Sequence, residues 1–447
     1  AVFCAGLLAC ASGGTAAGGE PVFQPPVSGK SSGNYTRPLS YETAAAYRTN
    51  TADSLIRNMP KRIEAYRSTD IEEYIRQIAA YILQTSANQY ESVKKAHDWT
   101  ILNIRYDTIA LVEDNSCAQD YASVIRKKLG MAEGLANVFK ALCDRMEIEC
   151  KTIRGYGRGY NNSPFDTENP VGNHVWNMVQ IDGDWYFVDC TWDTGYLNGG
   201  HYTPRYSTEY LFLPPEYFLY SHFPENSEHQ LLDEKISFAD FSSRPFLRPL
   251  FFEAINSMDF DLQKINYTGE KLLIEFSPTE TYINNIEVYD EQGLKSLENL
   301  SFVQREGQIY RVYFSFPSSG NYMVRLFSKK QDAIRFSLSA EFGVKAAAGN
   351  ATRYPTQFPS FGPEISIVSP LEMPLRRNEA YEFKIDAENN KHIILIANNK
   401  TQNFFLNEDG LYVLNTVIPD NAREIVIGVN NDENGHYDSI ARYMIID

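Results

Sequence analysis

From residue 41 to residue 104 apolar side chains recur at helical spacing, most clearly Tyr74, Ile75, Ile78, Tyr81 and Ile82, so the chain is expected to open on helices. A second stripe, Val138, Phe139, Leu142 and Met146, predicts one buried helix from about Met131 to Met146. The period then changes from helical to alternating in CKTIRGYG, HVWNMVQI and WYFVDCTWD, which read as strands. Helices followed by strands imply an α+β core. Beyond Phe251 short alternating runs such as KLLIEFS, IYRVYFSF and NYMVRLFS are separated by Gly, Pro, Ser and Asn turns, the pattern of a β-sandwich. The stretch KAAAGNATRYPTQFPSFGP (345–363) reads as a soft linker, and EFKID, HIILIA, LYVLNTVI, REIVIGV and ARYMIID after it as a second sandwich. The expected organisation is a tether over 1–40, helices and core over 41–250, a β-sandwich-like unit over 251–345, a linker over 346–363 and a second β-sandwich-like unit over 364–447.

Length supports this division, because 447 residues exceed what one hydrophobic core serves. A formal net charge of -16 without any Lys/Arg-rich block would repel phosphate backbones, which argues against nucleic acid as a partner. No apolar run has the length of a membrane-spanning helix. The opening AVFCAGLLAC looks like the tail of a signal-peptide apolar region, and Leu7-Leu8-Ala9-Cys10 resembles a bacterial lipobox. Lipidation of Cys10 would tether the chain to a bacterial cell envelope through the Ser/Gly/Pro-rich segment that follows; a plain cleaved signal and secretion are the alternative. Cys117, Cys143, Cys150 and Cys190 show no CxxC spacing and no paired His, so buried free thiols are expected, with no metal and no cofactor.

Candidate chemistry concentrates in 174–189, where two alternating runs flank Asp182-Gly183 and predict a hairpin. A two-residue loop makes paired positions sum to 365, so His174 would face Thr191 and Asp189 would be its diagonal neighbour on one sheet face. A carboxylate beside an imidazole fixes its tautomer and leaves the second ring nitrogen able to serve as a base. The bland alternative is a His and an Asp that merely end strands.

HxWN, then IDGxWYxVDxTWD, with a G-x-C-x-G-x-A-like helix start upstream, resembles the transglutaminase-like superfamily, closely over 97–193. The resemblance implies a papain-like core in which a Cys opens the buried helix and a strand His and Asp complete a triad. The corresponding segment here is Gly130-Met131-Ala132-Glu133-Gly134-Leu135-Ala136, so Ala132 occupies the nucleophile position and the nucleophile is lost. Met131 and Leu135 also depart from the family's usual VCEGYA. The stretch YSTEYLFLPPEYFLYSHFPENSEHQLL (206–232) is similar to the segment after the core in kyphoscoliosis-peptidase-type members, extending the resemblance over roughly 97–345. In the family a Gln ahead of the nucleophile helps stabilise the oxyanion, and Gln119 is the nearest candidate. Cys143 lies about 16 Å down the helix from Ala132 and Cys190 is expected on the opposite strand face from Asp189, so neither substitutes; Cys117 falls in the loop ahead of the helix. Trp176, Trp185, Tyr186 and Trp192 would pack the core or line a peptide groove. Asn430–Gly435 reads as a hairpin turn, because Ala441 stands where a calcium loop needs Glu.

Three functions compete: a catalytically inactive transglutaminase- or protease-like envelope protein that binds a peptide or protein; a Cys-His-Asp protease or transglutaminase captured with its nucleophile replaced by Ala; and a structural envelope scaffold.

Overall fold

The structure, a computed structural model, describes residues 40–113, 118–158, 172–198, 201–258, 271–279, 282–349, 352–387, 392–430 and 436–447. Cys10, the expected tether, Cys117 and positions 431–435 lie outside the described residues.

The lead-in helices begin where a side chain supplies the missing acceptor. Asp70 accepts the Glu73 N–H at the start of α1 (Ile71–Thr85), and Asn88 accepts the Glu91 N–H at the start of α2 (Gln89–Asn103). α1 turns Tyr74, Ile75, Ile78, Ala79 and Ile82 into the core. α2 is buried nearly all round and carries Lys94, Lys95, His97 and Asp98 inside, so its polar residues are paired internally. α3 (Tyr121–Lys127) and α4 (Ala132–Arg145) follow, the latter within the expected limits and buried along Leu135, Val138, Phe139 and Leu142.

These helices pack on a five-stranded antiparallel sheet of β1 (Cys150–Gly157), β2 (His174–Ile181), β3 (Asp184–Val188), β4 (Leu211–Leu213) and β5 (His222–Pro224), in the order β4-β3-β2-β1-β5. The β2–β3 hairpin has the expected register, from Ile181↔Asp184 to Asn177↔Val188. Asp182 and Gly183 both take positive φ, at 53° and 93°, as a two-residue hairpin turn requires. The return strand is shorter than expected. It ends at Val188, and Asp189 caps a single-turn helix, α5 (Cys190–Asp193), by accepting the Thr191 and Trp192 N–H groups. The cap competes with the strand ladder for the same backbone donors. Thr191 is thus drawn into the helix and does not face His174, whose partner on the other side of β2 is Gly155 of β1.

Past the short helices Phe238–Ser243 and Pro249–Ala254 the elements of the described chain are all strands. Phe246–Leu247, Ser337–Ala346, Gly320–Lys330 and Tyr282–Tyr289 form one sheet, and Ile255–Met258, Lys271–Pro278, Ile309–Ser315 and Ser301–Glu306 another; both feed one core with Ile274, Phe314, Val324 and Val344. A second pair of sheets, built on Ala380–Ala387 and Glu424–Asn430, encloses Ile367, Phe383, Ile427 and Tyr443. The architecture is α+β, a mixed core with a β-rich C-terminal region.

Residues 352–363 are not slack. Tyr354 is buried in the last core, and Thr356–Gln357 pairs with Asp438–Ile446. Two glutamines stitch the β units together. Gln357 gives its Nε2–H to the Val303 carbonyl and accepts the Val303 N–H, at 2.7 and 3.1 Å, and Gln304 does the same with Ile367, at 3.2 and 2.8 Å. Each side-chain amide thus substitutes for a strand's peptide group.

Candidate functional site

The site is assembled where the start of α4 meets β2. No side chain caps α4 at Met131; instead the Met131 N–H donates to Oε1 of Gln119, 3.0 Å away, and Asn137 Nδ2 donates to the Gln119 carbonyl. Gly134 makes room for this, since a Cβ there would lie 2.5 Å from Gln119 Oε1. Gln119 is thus held against the first turn of the helix. Ala132 is the first helical residue, nearly buried, and packs with Ala136 against Val175, the neighbour of His174. The strand is fixed to the helix by Asn177, the Asn of HxWN, whose Nδ2 donates to the Ala136 carbonyl at 3.2 Å. Tyr106 links the same parts: its backbone pairs with Gly130, and burial followed by the charge of Asp189 pushes its phenol pKa up.

His174 Nε2 lies 2.7 Å from Asp189 Oδ2, joining the two residues expected to act together. The contact arises because Asp189 turns into the α5 cap: Oδ1 takes the two backbone N–H groups and Oδ2 is left for imidazole. Among the described residues Nδ1 of His174 has no partner. Gly157 leaves space for this ring, because a Cβ there would come within 3.0–3.1 Å of His174.

A third residue joins them that sequence reasoning did not assign to the site. His222 on β5, paired with Gly157, places its Nε2 3.0 Å from the same Oδ2 of Asp189, and its Nδ1 lies 2.8 Å from Ser221 Oγ. The signal was present in the HFP of the 206–232 segment, but a partner that returns from a distant strand leaves no local spacing to read. Ser221, His222 and Asp189 thus form a hydroxyl–imidazole–carboxylate chain, yet Ser221 is 1% exposed and beyond the reach of a substrate.

Burial would raise the pKa of Asp189, but the two imidazoles outweigh it and hold the carboxyl well below the usual range. Burial pushes His222 down to about 4 against the opposing pull of Asp189, so it is neutral near pH 7, donating from Nε2. The rings are enclosed by aromatics: Trp192, half-buried, lies 4.3 Å from His222 and 5.6 Å from His174 between ring centres, and Phe218 stacks on His222 at 4.1 Å.

Behind α5 a second polar cluster holds the segment in place. His97 Nε2 lies 3.0 Å from Asp193 Oδ2, its Nδ1 3.4 Å from Asp98 Oδ1, and Asp98 also takes Lys94 and the Tyr206 hydroxyl.

The remaining sequence candidates are structural. Cys143, Cys150 and Cys190 are buried free thiols, and burial raises the pKa values of Cys143 and Cys190. Cys190 opens α5 rather than lying on a strand, and packs in the main core. Trp176 and Tyr186 are core residues, whereas Trp185 is half-buried under the Lys151 ammonium at 4.1 Å.

The buried helix beginning at residue 132 and the strand whose His meets Asp189 both fall in the stretch that is similar to transglutaminase-like cores. Residues 76–190 match the family model of the transglutaminase-like superfamily. Kyphoscoliosis peptidase of Mus musculus is 24% identical over 319 residues, covering 69% of this chain and 46% of that protein. The Homo sapiens kyphoscoliosis peptidase is 25% identical over 306 residues, covering 65% of this chain and 45% of its own. The chain spans about half the length of these curated relatives. A crystal structure of a TGase covers 38% of this chain and 41% of its own, at 16% identity and a TM-score of 0.22.

Proposed function

We propose that this chain does not catalyse acyl transfer and instead binds a peptide or protein partner in the cleft where transglutaminase-like enzymes hold substrate. The observation that carries the reading is Ala132: the first residue of the buried helix, set against the strand of His174, presents a methyl group that can neither attack a carbonyl nor leave. The half-buried Trp185 and Trp192 on the adjoining hairpin and α5 supply aromatic surface suited to an extended peptide. Anchorage to a bacterial envelope through Cys10 belongs to the same proposal and rests on the lipobox-like sequence alone.

The test is a comparison of the chain with Ala132→Cys on substrate peptides and amine donors. We expect no turnover from the chain as it stands, and an Ala132→Cys variant at least about 100-fold above background, because base and carboxylate are already joined. Turnover by the unaltered chain that disappears in His174→Ala would overturn the proposal. The second reading, an enzyme with a replaced nucleophile, is favoured by the intact His174–Asp189 bond. It predicts a Cys codon at position 132 in the source gene.

A further inference from the structure

We propose that His174, Asp189 and His222 hold one divalent transition-metal ion of the zinc class. This goes beyond the reading of the cleft and does not depend on what the cleft binds.

The donor set is already gathered. His174, Asp189 and His222 each offer a ligand atom within 4.8 Å of the others, and Nε2 of His174 and Nε2 of His222 lie 2.7 and 3.0 Å from Asp189 Oδ2. A tetrahedral ion with bonds of about 2.0–2.1 Å sets its ligand atoms about 3.4 Å apart, so shifts of under about 1 Å convert the hydrogen-bonded triangle into a coordination face. Two imidazoles and one carboxylate suit Zn2+, Co2+ or Fe2+ rather than Mg2+ or Ca2+, which favour all-oxygen ligands.

The groups behind the ligands fit as well. Asp189 Oδ1 is occupied by the Thr191 and Trp192 N–H groups, which leaves Oδ2 to bind alone. Ser221 Oγ lies 2.8 Å from His222 Nδ1 and 3.2 Å from the Phe218 carbonyl. The hydroxyl can therefore accept from Nδ1–H while donating its own O–H to the carbonyl, which suits the tautomer that frees the Nε2 lone pair for an ion. With Nε2 given to the ion, the ring proton of each imidazole sits on Nδ1; on His174 that atom has no competing partner among the described residues. Asp189 and His222 are 1% and 0% exposed while His174 is 8% exposed, so the ion would enter from the His174 side, where a water completes its shell.

The competing account is a buried carboxylate clamped by two imidazoles through protons alone. Untagged full-length protein, stripped with chelator, is titrated with Zn2+ by calorimetry and its metal content measured after dialysis, beside His174→Ala and Asp189→Asn whose folding is checked by circular dichroism. One Zn2+ per chain is expected, with affinity weakened about 100-fold or more in His174→Ala. Co2+ added to the unaltered protein should give the visible absorption of a four-coordinate nitrogen/oxygen site, a readout that stands even if Asp189→Asn does not fold. Absence of stoichiometric binding, or equal affinity in folded His174→Ala, overturns the proposal; the latter would place the ion on exposed histidines such as His201 and His436.

Discussion

His97 lies fully buried between two carboxylates, a position its burial opposes and its partners favour. Desolvation lowers its pKa, but the hydrogen bonds to Asp193 and Asp98 outweigh that, and the pKa sits above the ordinary 6.5. Burial pushes the Asp193 carboxyl up, whereas the Asp98 carboxyl is pulled down against burial by His97 and Lys94. For a base with a raised folded pKa the stabilisation is complete below the unfolded pKa and disappears as pH climbs through the folded one. Thermal stability should therefore fall as pH rises above the ordinary imidazole value of 6.5, and His97→Gln should flatten that slope while lowering Tm at the acidic end. Melting curves at several pH values decide it: an unchanged slope in the variant would mean that the imidazolium is not held there.

Strand β1 carries two glycines that set the distances on which the site depends. A Cβ on Gly155 would lie 2.2 Å from the Phe223 carbonyl, 2.5 Å from the Trp176 ring and 2.9 Å from Pro224 Cα. Two of those neighbours are backbone of β5, so relief requires moving the strand that carries His222. Gly155→Ala should cost about 3 kcal/mol in denaturant unfolding, the upper range for overpacking, whereas a cost under about 1 kcal/mol would show that β5 yields freely. This crowding explains what the sequence could and could not disclose. The β2–β3 register was legible because a two-residue turn with positive φ permits only one pairing, and the helix from residue 132 was legible from its apolar stripe. The meeting of His174 with Asp189 was foreseen, but through the wrong geometry, since the capping turn at Asp189 depends on backbone donors that alternation does not reveal. His222 was missed because β5 returns 33 residues after Asp189 along a path with no periodic signature of its own.

At the scale of the molecule, the core and the β region are joined by buried polar contacts rather than by slack chain. Arg158, at the end of β1, donates to the carbonyls of Phe241, Arg244 and Pro245 just ahead of the first β unit, and burial beside Arg244 lowers its pKa to about 10. Further along, Gln304 and Gln357 bind backbone across the junction of the two β units. Removing both with Gln304→Ala and Gln357→Ala should cost about 2 kcal/mol in the β region and open the 352–363 segment to limited proteolysis, leaving the core transition in place. Equal protease resistance in the double variant would show that apolar packing alone closes the joint. With the amides in place, the two β units cannot swing apart without breaking four hydrogen bonds together, so they act as a ruler of fixed length. A displacement of the last unit is therefore passed on to the first instead of being absorbed along residues 352–363.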